Sequence, residues 1–456
     1  MVFALTWGSV QLLVMPPFQV PDEPHHFFRA WGVSRLQLVN RDLNLALPEQ
    51  VVTLVQNISR DRVENGAVRV SQLLPYFQER ITRTERVVGE RFCAYNPLGY
   101  LPQAAGIRLA AALDLSPLHA FYFGRFFNLL CAGLLIFWAI SAAPWGRDIF
   151  LLVSLFPMTV HQLASLSNDA LTLAGLLLFT SQLLYFSTKP RLSAAALFYL
   201  AALSLVLVHI KPGYIAYLLL FFVLSSRQFS AGRRYYIYLL TVFWANLAMI
   251  YMLSNLIEID KYVALIHHIS TRDQLQFIIE NPHKFLIIFI NTLFQQPIFT
   301  FKSMIGVLGW LNLFFPDFFY VFMVIAFGLI VLTNNDTVMP TLRQRAVFFS
   351  IALGTLFIIL TLQYLFWTEL KAPYIITFQG RYFIAVCALV LLGFHRPGIV
   401  ACSRDSRFQT WRYRIICLVF FIISVYTSLA VIHHYKGYYS GNIMYSIDNI
   451  IFTKGF

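Results

Sequence analysis

Pro21-Asp22-Glu23-Pro24-His25-His26 sets two adjacent carboxylates beside two imidazoles. The prolines restrict the backbone and favour a sharp turn. A carboxylate fixed there can take a proton from a hydroxyl nucleophile, or ligate a divalent cation. The plainer alternative is that Asp22 and Glu23 fill the first turn of a helix, where the dipole favours anions. Ser167-Asn168-Asp169 is a second acidic position, at the junction of two apolar runs. Charge that close to a membrane core is costly and often functional. Helix capping by Asn168 or Asp169 explains it equally well.

Two cationic positions complement these acids. Lys211-Pro212-Gly213 closes one apolar run, and Gln379-Gly380-Arg381-Tyr382 opens another. A fixed guanidinium at an interface suits a phosphate or pyrophosphate group, and Lys211 adds a point charge. Snorkelling to lipid headgroups is the bland reading of both. Gly306-Val307-Leu308-Gly309-Trp310 reads as a tight turn with an interfacial aromatic anchor. The sequence has no Walker loop, nucleophile elbow or HExxH. His267-His268 and His433-His434 are adjacent pairs that cannot converge on one metal, and they read as interfacial polar residues.

These residues sit in a chain of 456, of which 58% are apolar and 12% charged, with 44 phenylalanines and a mean hydropathy of +0.66. Soluble domains carry about 25% charged residues. That excludes a soluble enzyme, a disordered chain, a coiled coil and a collagen-like fibre. Continuous apolar runs of helix length, rather than short alternating segments, favour helices over a barrel. The formal net charge of +13 fits basic cytoplasmic loops, and no stretch resembles a nucleic-acid recognition module. The five cysteines form no CxxC pair, so neither a disulfide framework nor a zinc site is expected.

The expected fold is an all-α polytopic membrane protein of about 11 spans, forming a single integral-membrane domain over 1–456. The first span ends at Pro16-Pro17 and reads as retained, since it lacks a basic n-region and a cleavage signature. Further spans are expected at about 118–140, 148–166, 168–187, 193–209, 214–226, 235–256, 317–333, 346–367, 380–395 and 413–431. Glu23 to Val39 reads as an amphipathic interfacial helix. Asn96 to Leu115 is ambiguous. Segment 285–303, broken by Asn291, Gln295, Gln296 and Pro297, suits a re-entrant or interfacial element. The basic loops at Lys189 and Arg191, at Arg227, Arg233 and Arg234, at Arg343 and Arg345, and at Arg396 to Arg414 should all face the cytoplasm. They share one side only if neither 96–115 nor 285–303 crosses alone. The loops 16–117, 257–316 and 368–379 are then extracytoplasmic.

The segment Pro17-Phe18-Gln19-Val20-Pro21-Asp22-Glu23-Pro24-His25-His26-Phe27-Phe28-Arg29-Ala30 resembles the signature of a large bacterial family of polytopic membrane proteins of unknown function, the PPFQxPDEPxH…QGRYF family. Further matches are Asn96 to Gln103, Gln162 to Leu171, Lys211 to Tyr214, Gly306 to Trp310 and Gln379 to Phe383. They keep the family's order over most of the chain. The family in turn resembles the GT-C glycosyltransferases, which carry an acidic motif just after the first span. That resemblance implies a bacterial inner-membrane enzyme with its site on the extracytoplasmic face. Asp22 would be the catalytic base and Glu23 its partner in orientation or charge. Asp169 would be the later acid, and Arg381 would hold the phosphate of a polyprenyl-linked donor. His25, His26, Arg29, Asn168, Lys211, Trp310, Gln379 and Tyr382 would complete the substrate site. A divalent cation (Mg or Mn) at Asp22 and Asp169 is an option the reaction does not require. The partners implied are a polyprenyl-phosphate sugar, a lipid or glycan acceptor and membrane lipids, without nucleic acid. Unlike in many GT-C enzymes, no large soluble C-terminal domain is expected from this sequence. A flippase or a polymerase for polyprenyl-linked glycans is the alternative, and a non-catalytic scaffold a third reading.

Overall fold

The computed structural model describes residues 2–39, 42–254, 270–376, 378–398 and 406–440. Cys402, Arg404 and the pair His267-His268 lie outside the described residues. The described chain is mostly helical, with two small two-stranded sheets. Among the described residues, five helices are long and apolar enough to cross a membrane: Pro117–Ala142, Asp169–Ser187, Gly232–Met252, Leu342–Trp367 and Thr410–His434. Shorter apolar helices cover Phe3–Val14, Ala194–Ile210, Pro212–Val223, Asp317–Leu332 and Gly380–Phe394.

Proline decides where many of these helices begin. It lacks an N–H and has a fixed φ, so it suits the first turn and disrupts an interior. The run expected as one span over 148–166 is therefore two helices, Arg147–Ser154 and Pro157–Leu163, parted ahead of Pro157. Pro297 likewise splits the 285–303 region into Pro282–Gln295 and Pro297–Gly306, bent by 63°. The run after Lys211 winds more tightly than expected, as a 3-10 helix over Pro212–Val223.

The first loop is a packed structure of its own. The amphipathic helix spans Glu23–Ser34, shorter than the sequence suggested because Leu36 turns left-handed at φ 62°. The ambiguous 96–115 stretch is a 3-10 turn, Pro97–Tyr100, leading into the helix Leu101–Ala112. That helix lies so close to Pro117–Ala142 that a Cβ on Gly106 would strike the Phe123 carbonyl. A small antiparallel hairpin, Asn44–Pro48 with Glu85–Gly89, was not anticipated.

Loops gather at two ends. At one end Arg412 pairs with Asp148, and Asp336 lies 3.2 Å from His395 and accepts from the Gly146 amide. There too, Arg343 donates to the Leu224 carbonyl and Gln228 to those of Phe186 and Lys189. At the other end the three long loops interlock. Trp310 donates to the Phe18 carbonyl at 3.0 Å, the Gly380 amide to Ser303 at 2.9 Å, and Asn312 to Glu64 at 2.8 Å.

Candidate functional site

The Pro21–His26 turn is fixed from below by Glu23, whose side chain is wholly buried. Arg125, inside Pro117–Ala142, meets it with Nε–Oε1 at 2.8 Å and Nη2–Oε2 at 2.6 Å. Two backbone amides also donate to Glu23, from Phe18 at 3.1 Å and Leu166 at 3.2 Å. The other donors of Arg125 reach the carbonyls of Leu12, Met15 and Pro16. The pair thus closes the open carbonyl end of the first helix and ties it to the turn and to the 165–168 loop.

With Glu23 turned inward, Asp22 turns outward. Asp22 adopts the left-handed conformation at φ 61°, ψ 7°, and its side chain caps no helix amide. Asp22 is nonetheless the N-cap residue and Glu23 lies in the first turn, where the helix dipole favours both anions. The Asp22 carboxylate is about one-third exposed and lies 3.7 Å from Nη2 of Arg381. Nε of Arg381 lies 3.7 Å from Asp169, and Asp169 pairs with Lys211. Asn168 makes no side-chain cap either. Lys211 and Arg381 both lie near the Tyr382 ring, at 4.8 Å and 5.2 Å from its centroid. Acids and bases therefore alternate along Asp22, Arg381, Asp169 and Lys211, drawn from four separate segments. Gly380 brings Arg381 in, since its backbone lies against Thr300 and Met304 too closely for a Cβ.

Arg381 is 9% exposed; its Nη1 is buried without a hydrogen-bond partner, and its Nε makes only the longer ion pair with Asp169. Leaving donors on a buried charged group unused costs about 1–3 kcal/mol or more. Such donors are ready for an anionic oxygen. The buried oxygen of Gln379 and the amide nitrogen of Asn168 are also unpartnered.

His26 borders this group. Its Nδ1 lies 2.8 Å from the Tyr100 hydroxyl. Burial lowers its pKa to about 3, opposed by Asp22 and Asp169 and aided by Arg381 and Lys211. The unfolded chain takes up this proton near pH 6.5, the folded chain only near pH 3. Stability is therefore full above about pH 6.5 and falls as the pH drops below it, by roughly 1 kcal/mol per pH unit. Melting temperatures of the wild type and His26→Asn between about pH 7.5 and 5.5 should show the larger loss in the wild type. Equal losses would contradict this assignment.

Four expected site residues face the scaffold rather than the charged group. Glu23 is held by Arg125. His25 pairs with buried Glu90 at 3.0 Å. Arg29 donates to the carbonyls of Gln37, Leu38 and Tyr95. Trp310 holds Phe18 and lies under Arg60. Sequence reasoning missed Arg125, although a lone arginine inside an apolar run was a signal in plain view. The donor set also fits a divalent ion poorly. Between Asp22 and Asp169 stands the Arg381 guanidinium, and among the described residues no group of three or more metal-ligating side chains converges.

A family model described as predicted membrane protein (DUF2142) matches residues 5–391. No curated protein matches the chain, and no solved structure does.

Proposed function

The chain belongs to the DUF2142 family of predicted membrane proteins, and from that premise we propose that it is a GT-C-like glycosyltransferase. It moves a sugar from a polyprenyl-phosphate donor to a lipid or glycan acceptor at the extracytoplasmic face of the bacterial inner membrane. The observation that carries this reading is Arg381. It is a buried cation whose Nη1 has no hydrogen-bond partner and whose Nε is held only by a 3.7 Å ion pair with Asp169, set between an outward carboxylate and a second acid–base pair. The gathering of the basic loops at the opposite end supports an eleven-span path with this group outside.

In the reaction, Asp22 takes the proton from the acceptor hydroxyl. The acceptor oxygen bonds to the anomeric carbon as the bond from that carbon to the phosphate oxygen breaks. The electron pair leaves on the phosphate, and configuration inverts. Arg381, with Lys211 beside it, stabilises the charge that develops there. No step requires a metal. Glu23 positions Asp22 without touching substrate.

Native mass spectrometry of gently purified protein tests the reading. The wild type is expected to retain a polyprenyl-phosphate species, and Arg381→Ala to lose at least about tenfold, the equivalent of one charged hydrogen bond. Equal retention in both would remove Arg381 from the phosphate site.

A further inference from the structure

His25 stands one helical turn after Asp22, at the start of Glu23–Ser34. One edge of its ring faces the scaffold: Nδ1 lies 3.0 Å from Oε2 of Glu90, whose side chain is 1% exposed against 38% for His25. Among the described residues the His25 side chain has no other hydrogen-bond partner. The Phe92 ring touches both histidines, with centroids 5.2 Å from His25 and 4.7 Å from His26. His26 in turn feels the charges of Asp22, Asp169, Arg381 and Lys211. The His25–Glu90 pair therefore stands beside the charged group, with one ring edge open.

Glu90 is fixed on every side. Its Oε1 accepts from the Phe92 amide at 2.9 Å. Its own amide donates to the Leu43 carbonyl at 2.7 Å, and its carbonyl accepts from the Cys93 amide at 3.0 Å. A carboxylate can only accept. With Oε1 taken by an amide, Oε2 takes the Nδ1 proton. In a neutral imidazole that leaves Nε2 as a lone pair. A buried carboxylate placed in this way sets both the tautomer and the orientation of a histidine.

We propose that Nε2 of His25 receives a hydroxyl of the acceptor, and that Glu90 is the positioning residue that sets its tautomer. This rests on the reading of the protein as a glycosyltransferase and adds the chemistry of the acceptor. Arg381 and Lys211 offer N–H donors, which suit a phosphate. Nε2 offers a lone pair, which an ionised phosphate cannot satisfy and a hydroxyl can. The site thus sorts its two substrates by hydrogen-bond polarity. Asp22 takes the proton of the reacting hydroxyl, and His25 holds a neighbouring hydroxyl of the same molecule. The acceptor is then a sugar, with hydroxyls side by side, rather than a simple lipid alcohol.

Glu90→Gln is the test. Its carbonyl oxygen can keep the Phe92 amide while its NH2 donates to Nδ1, so the pair stays bonded and the ring proton moves to Nε2. A merely structural pair would lose nothing. Diethyl pyrocarbonate, which attacks an unprotonated imidazole nitrogen, reads the tautomer by peptide mass spectrometry, with exposed His283 as the internal reference. His25 should react in the wild type and about tenfold more slowly in Glu90→Gln, the scale of one hydrogen bond. In cells carrying each variant as the sole copy, Glu90→Gln and His25→Phe should accumulate the same polyprenyl-phosphate sugar as Asp22→Asn. Equal labelling of His25 in wild type and Glu90→Gln would overturn the tautomer. Wild-type lipid profiles in Glu90→Gln cells, with accumulation in Asp22→Asn cells, would overturn the role of the pair and leave the glycosyltransferase reading standing. If none of the three variants accumulates the lipid while each is present at wild-type level, both inferences fall together.

Discussion

Asp22→Asn should bind a polyprenyl-phosphate sugar as the wild type does and transfer almost none of it. Asparagine keeps the size of the side chain and loses the basic oxygen. Removing a general base costs about 10²–10⁴-fold in rate, whereas donor binding depends on Arg381. The turn itself should survive, since it is fixed by Glu23. The measurement is single-turnover transfer alongside donor affinity. A loss of affinity with unchanged turnover of bound donor would make Asp22 a binding group instead.

Arg125→Leu should prevent accumulation of folded protein. Breaking a buried ion pair costs about 3–5 kcal/mol, a large part of the roughly 5–15 kcal/mol that holds a typical domain together. Here the damage extends further, because Arg125 also satisfies three backbone carbonyls and Glu23 two backbone amides. For an isolated pair, removing both charges often restores stability. In this latch the double variant Glu23→Leu with Arg125→Leu strips a side-chain partner from five backbone groups, of which the Pro16 carbonyl still accepts from the Gln19 amide, so it should be no better than the worse single variant. Thermal unfolding in detergent, with size-exclusion profiles, distinguishes the cases. Recovery in the double variant would reduce the latch to an ordinary ion pair.

The parts of the site legible from sequence were those where charge interrupts apolar runs. Asp22, Asp169, Lys211 and Arg381 stand out because ionisable groups at a membrane surface are costly to keep, and the fold brings these four together. Their neighbours were harder to sort. Asp22 and Glu23 are adjacent acids, and only the left-handed backbone at Asp22 decides which points outward. Arg29 looked like a ligand-binding cation until its partners proved to be backbone carbonyls. Arg125 lies within an apolar run, where a span count absorbs a polar residue without asking what it meets. Hydropathy located the apolar helices well, but not the break ahead of Pro157, nor the hairpin in the first loop, which is paired across 36 residues from Glu49 to Thr84.

The central claim is that this chain consumes a polyprenyl-phosphate sugar outside the membrane. Its most direct test is mass spectrometry of the polyprenyl-linked lipids in cells carrying either the wild type or Asp22→Asn as their sole copy. The account predicts that one polyprenyl-phosphate sugar accumulates in the Asp22→Asn cells and falls again when the wild type is restored, its mass giving the sugar. Identical lipid profiles, with the Asp22→Asn protein present at wild-type level, would contradict it.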